Sequence, residues 1–229
     1  MFKKLIQGIV DRIDRATRRP AHADPVEQFG DELAGEIEWS PCKGGGSNFK
    51  TNKLVEVDAS RVVFKATLGA KMFSLVFAFG SLLWFSFLFM PKGEENFPVF
   101  GYVMCTLGGL VFLGVGVGMF IAFSRPITFD KMVGYYWRGR QSPDMMFGDV
   151  PDSEKYVPLE EIYALQIISE YCRSSGKNSS SYHSYELNLV LRDRSRVNVV
   201  DHGKYSALRS DAEILADFLS IPLWDRIGG

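Results

Sequence analysis

At 229 residues the chain has room for one ordinary domain, or for a small domain with membrane segments, and for little more. Its 26 Lys and Arg nearly balance 27 Asp and Glu, so no overall field recruits nucleic acid, and no nucleic-acid partner is expected. Cys42, Cys105 and Cys172 lack the C-x-x-C spacing of zinc or redox sites and read as three free thiols.

At the N-terminus Phe2, Leu5, Ile6, Ile9, Val10, Ile13 and Ala16 recur at helical spacing, and charged residues fill the positions between them. This predicts a basic amphipathic helix over 1–19, lying in the plane of an anionic leaflet or, as the second reading, docked on the protein's own soluble part. Its membrane-surface contacts are Lys3, Lys4, Arg12, Arg15, Arg18 and Arg19, each worth on the order of 1 kcal/mol near such a surface. A cleaved signal peptide is not expected, because charge returns at Asp11 before an apolar core of adequate length is built. Residues 20–35, with Pro20 and Pro25, read as a linker.

Strand-like runs follow at 36–40, 49–57 and 61–67, the first strands of a β-domain over 36–67. They are separated by CKGGGSN and by Asp58-Ala59-Ser60. The glycine run lacks the G-x-x-x-x-G-K-[ST] arrangement and no helix-like run follows it, so a nucleotide site is not expected. A flexible strand connection is the first reading. Lipid headgroup contact through Lys43, Lys50 and Lys53 is the second.

Two uncharged runs come next, at about 72–91 and 97–124, and about 20 residues suffice to cross a hydrocarbon core of roughly 30 Å. Helices in a soluble core seldom stay apolar on every face for this long. A transmembrane hairpin over 70–124 is therefore predicted. Arg61, Lys65 and Lys71 precede it, and Arg125, Lys131, Arg138 and Arg140 follow it, whereas the turn offers Lys92 beside Glu94 and Glu95. That asymmetry is expected to place both termini in the cytoplasm, in a multi-pass membrane protein. Gly114, Gly118 and Ala122, with an earlier set at Gly101, Cys105 and Gly109, form small-residue ridges that invite close helix packing, either with Ser74 and Ala78 of the first span or with a second copy. Neither span holds an ionisable side chain, which counts against an ion path.

Beyond the hairpin, residues 126–129 and 134–137 flank a turn at 130–133, and 162–168 reads as another strand. Tyr185, Leu187, Leu189 and Leu191 alternate with polar residues, and Val197 and Val199 follow the turn Asp193-Arg194-Ser195. A helix at about 204–220 carries Leu208, Ala212, Leu215, Phe218 and Leu219 on one stripe and ends before Pro222. The fold class expected is membrane α+β. A two-helix hairpin is inserted into a small antiparallel β-rich domain, completed over 126–224 as one sheet or partial barrel closed by the C-terminal helix.

The hairpin together with the runs PITFDKMVGYYWRG, VPLEEIYALQI and SYELNLVLRDRSRVNVVDHG resembles small bacterial inner-membrane proteins with a pleckstrin-homology-like cytoplasmic domain. The resemblance covers the chain from about Trp39 onward. It implies a fold and a location, and it brings no catalytic residues.

His22, His183 and His202 stand apart from one another, without metal-site spacing. Asp201 beside His202 reads as a cap of the final helix before it reads as half of an acid–base pair. The serine-rich stretch at 173–184 reads as a mobile hairpin loop, and Trp137 and Trp224 as core residues or interfacial anchors. No catalytic residue, cofactor or metal site is expected. The function expected is a non-enzymatic membrane protein whose module binds a protein partner, a second copy or lipid headgroups; the alternative is a membrane enzyme or transport subunit, marked by acidic, His or Cys residues gathered in a pocket.

Overall fold

The computed structural model describes residues 24–89, 99–146, 154–173 and 181–227. The predicted amphipathic helix with Lys3, Lys4, Arg12, Arg15, Arg18 and Arg19 lies outside the described residues. So do the turn between the two apolar runs and the middle of the serine-rich loop.

Five strands form a first antiparallel sheet in the order β1-β2-β3-β4-β5: β1 (Asn52–Asp58), β2 (Arg61–Ala66), β3 (Ile127–Asp130), β4 (Tyr135–Arg138) and β5 (Tyr156–Pro158). Its tight turns are made locally. Asp58 Oδ1 accepts from the backbone N–H of Ser60 at 2.8 Å, and Asp130 Oδ1 accepts from Met132 and Val133 at 2.8 and 3.1 Å. These side-chain acceptors replace the ladder partners that a reversing backbone loses. A second sheet runs β8-β7-β6-β9, from β6 (Ile162–Arg173), β7 (Ser181–Leu191), β8 (Arg196–His202) and β9 (Leu223–Asp225). Its turn at Asp193 repeats the device, with Ser195 N–H donating at 2.8 Å.

Alternation decides which face of each strand is dry. Phe64, Phe129 and Tyr136 of the first sheet meet Leu165, Ile167, Leu187, Leu189 and Val199 of the second, all essentially without exposure. Helix α5 (Tyr205–Leu219) adds Leu208, Ala212 and Leu215 to the same core. Each such large side chain contributes about 1.5–3 kcal/mol on leaving water.

The helices α3 (Leu68–Ser86) and α4 (Val99–Phe123) lie in sequence between β2 and β3, which are nevertheless neighbours in the sheet, Val62 opposite Phe129 and Phe64 opposite Ile127. Both are long and apolar enough to cross a membrane, and only 17% and 11% of their most apolar stretches are buried. They pack antiparallel. A side chain on Gly116 would overlap the backbone of Ala78, and one on Gly109 would come within 2.6 Å of the Phe85 ring. Gly114 and Gly118 have nothing within 4 Å of such a position. At about 100° per residue, two positions from Gly116 carry them round to the far side of the helix. Helix α3 therefore packs on Gly109 and Gly116, and Gly114 and Gly118 of the predicted ridge face away from it.

Four expectations are corrected. Residues 36–40 form no strand, because side chains satisfy their backbone in place of a ladder: Gln166 Nε2 donates to Glu38 O at 3.1 Å and Arg196 Nη1 to Ser40 O at 2.8 Å. The described part of the predicted linker carries two short helices, α1 (Pro25–Phe29) and α2 (Glu32–Glu36), capped by Asp24 and Asp31. They build a second apolar cluster on the outer face of sheet two, where Phe29 stacks on Trp39 at 5.5 Å and Trp39 lies 6.4 Å from Trp224. The β-rich body has two sheets in place of the single sheet that was one of the two expected forms, with an isolated bridge between Lys50 and His202, and its last strand β9 runs parallel to β6. Asp201 is a β8 residue bonded to Asn198, while the N-cap of α5 is Lys204, with no side-chain cap bond.

Candidate functional site

Where the apolar helices meet the sheets, the joints are made by a few short bonds. Thr67 caps α3, accepting from Ala70 N–H at 3.2 Å while its hydroxyl donates to Lys50 O at 2.6 Å, so the helix start is tied to the chain entering β1. Phe49 rests on Phe73 with ring centroids 5.7 Å apart. At the other foot, Gly139 N–H donates to Pro126 O at 2.8 Å just beyond the end of α4.

A cleft of about 640 Å³ opens between the foot of α4, the 43–48 loop and the end of β8. Ala122, Phe123 and Ile127 give it an apolar wall. Lys43, Arg125 and Arg138 line it against a single carboxylate, that of Asp201. Arg138 Nη2 donates to Asn198 O and Val199 O, both at 2.8 Å, which fixes its guanidinium on the wall. Burial holds the Asp201 carboxyl above the usual carboxylate range, against the pull of its bond from Asn198 and of nearby Lys43.

The glycine run is pinned. Glu186, fully buried, accepts from the N–H groups of Cys42 (2.7 Å) and Lys43 (2.9 Å), and Glu170 accepts from those of Gly45 (3.0 Å) and Gly46 (3.1 Å). Gly45 has φ 83°, a conformation that glycine adopts without strain. Four of the backbone donors that could cradle a phosphate are thus occupied by the protein's own carboxylates, and Lys43 is the charged side chain that the loop, with Ser47 and Asn48, offers to the cleft.

The predicted surface lysines part company. Lys50 pairs with Asp211 at 3.7 Å. Lys53 stands directly across the β1–β2 ladder from Lys65, both exposed at the end of the sheet from which α3 departs. Like charges set opposite each other repel, and an anionic surface relieves that cost. Lys43 alone of the three enters the cleft, and Ala122, predicted as a helix contact, lies there with it. Arg125 and Arg138 were legible only as topology signals; the chain distances separating 43, 125, 138 and 201 hide the cluster from any motif.

Elsewhere the chemistry is quiet. Burial pushes the thiols of Cys42 and Cys172 up, away from the reactive thiolate. Among the described residues no three His, Cys, Asp or Glu gather closely enough to hold a metal ion. His183 sits beside Tyr171 at 5.3 Å on the β6–β7 hairpin, and His202 is buried between two backbone carbonyls. Trp137 and Trp224 are both core residues. No protein-family model matches the chain, and no curated protein sequence matches it.

Proposed function

We propose that the chain is a non-enzymatic membrane protein: α3 and α4 cross the bilayer as a hairpin, and the two-sheet body, of the pleckstrin-homology-like kind its strand runs resemble, rides on the cytoplasmic face of the inner membrane in contact with anionic headgroups. The observation that carries this reading is exposure. Val76, Phe79 and Leu83 on α3 and Val111 on α4 are 64%, 62%, 69% and 62% exposed, while the attached sheets bury most of their own large apolar side chains. Faces of that size are stable in lipid and costly in water.

The basic residues support the orientation. Lys53, Lys65 and Lys71 stand at the foot of α3, and Arg125 at the foot of α4, on the side of the sheets. Positive charge at both feet of a hairpin marks the cytoplasmic side. Native membranes carrying the full chain should retain it through alkaline carbonate extraction, and its appearance in the supernatant would remove the anchor. Contact within the bilayer is a second reading, favoured by the open face at Gly114 and Gly118. Disulfide cross-linking of Gly118→Cys between two copies supports it, and no cross-link removes it.

A further inference from the structure

The cleft at the foot of α4 is more selective than a charged surface. We propose that it binds one anionic phospholipid, with the phosphodiester between Lys43 and Arg125, a headgroup hydroxyl on Asp201, and the acyl chains running down the exposed flank of α4. The proposal deepens the membrane reading and rests on α4 being a span.

Depth comes first. Arg125 is the first charge after the apolar run, so the cleft opens where hydrocarbon gives way to headgroups. Its apolar wall of Ala122 and Phe123 continues into Ile121, which is 54% exposed, giving an unbroken path from polar cleft to lipid-facing helix. Size agrees. About 640 Å³ falls within the roughly 300–1,000 Å³ of small-molecule sites, ample for a headgroup and glycerol.

Charge then selects. Three cations face one carboxylate, a net positive surplus that favours an anionic headgroup over a zwitterionic one. The side chains of Lys43 and Arg125 are exposed and, among the described residues, neither is held by a hydrogen bond or ion pair, so both are free to close on a phosphate. Asp201 gives one oxygen to Asn198 Nδ2 at 2.9 Å. Its carboxylate repels a phosphomonoester dianion and accepts from a headgroup hydroxyl, which makes phosphatidylglycerol the fitting class and phosphatidic acid a poor one.

The test is native mass spectrometry of the full chain in neutral detergent, titrated separately with phosphatidylglycerol, phosphatidic acid and phosphatidylcholine. One phosphatidylglycerol per chain is expected, in preference to the other two. Lys43→Ala with Arg125→Ala should weaken it about 30-fold, two surface-proximal charges' worth. Lys43→Arg with Arg125→Lys should restore it, and Lys53→Ala with Lys65→Ala, outside the cleft, should leave it unchanged. Asp201→Asn should erase the preference over phosphatidic acid. Equal retention of phosphatidylglycerol by the Lys43/Arg125 double variant overturns the site, as does a matching loss in the Lys53/Lys65 variant or equal retention of phosphatidylcholine. Inorganic phosphate competing at equal concentration would also overturn it, showing an ion site without a lipid. Carbonate extraction reads the anchor separately: a chain that stays in the membrane yet fails these titrations loses the cleft alone.

Discussion

Glu186 is fully buried and answers to three donors, the N–H groups of Cys42 and Lys43 and Asn188 Nδ2 at 3.2 Å. Removing a buried acceptor leaves its donors unsatisfied, at about 1–3 kcal/mol for such a group. Glu186→Ala should therefore lower stability by about 3 kcal/mol in denaturant titration of the detergent-solubilised chain, and Glu186→Gln by less, since its amide oxygen still accepts. An alanine variant as stable as wild type would mean that the loop is not held by this carboxylate. His202 is equally buried, with Nε2 at 2.9 Å from Asn52 O and Nδ1 at 3.3 Å from Lys204 O. Burial pushes its pKa below the ordinary 6.5, Lys50 acting in the same direction and the two carbonyls and Asp211 against it. The unfolded chain then takes up this proton first, so the contribution of His202 is complete above about pH 6.5 and is lost as pH falls from there through the lower folded value. Asp201, raised by burial, works in the opposite sense, favouring the fold below its ordinary value of 3.8 and losing that contribution as pH rises through its folded value. Thermal unfolding between pH 7.5 and 5 should thus fall less steeply in His202→Gln than in wild type; parallel curves would refute the assignment.

At the scale of elements, the contact between α3 and α4 is set by where a backbone can approach. Gly116→Leu would drive a side chain into the backbone at Ala78, an overpacking cost of about 1–3 kcal/mol, whereas Gly118→Leu points into open space. Unfolding of the two variants in mixed micelles should separate them by that amount, and equal stability would place the helix contact elsewhere. Sequence made the two apolar runs and the hairpin turns at Asp58, Asp130 and Asp193 legible, because each rests on residues within a few positions of one another. It misled at 36–40, where the alternation of Ile37 and Trp39 with Glu36 and Glu38 matches a strand but Gln166 and Arg196 take the place of a ladder. It missed β9, three residues long and paired with distant β6, and it missed the packing of the 25–36 segment on Trp224. Of the two small-residue ridges, Gly109 of the earlier one meets Phe85, whereas Gly114 and Gly118 face away from α3, since four-residue spacing identifies a face without saying which face a partner takes. The cleft escaped for a like reason: its charges come from a loop, a helix foot and two strands that only the fold assembles.

For the whole molecule, two kinds of surface divide the chain. The sheets and α5 bury a core of their own, and α3 and α4, long and apolar enough to cross a membrane, present apolar side chains that no part of the described chain covers. Their ends are joined to the sheets through Thr67 and through the backbone beyond Pro126. The most direct test is cysteine accessibility in intact cells, with Cys42, Cys105 and Cys172 replaced and single cysteines placed at Glu95, between the spans, and at Lys204, beside α5. An impermeant maleimide should label position 95 from outside and reach position 204 only after permeabilisation. Labelling of both positions from outside, or of neither until the membrane is opened, would contradict it.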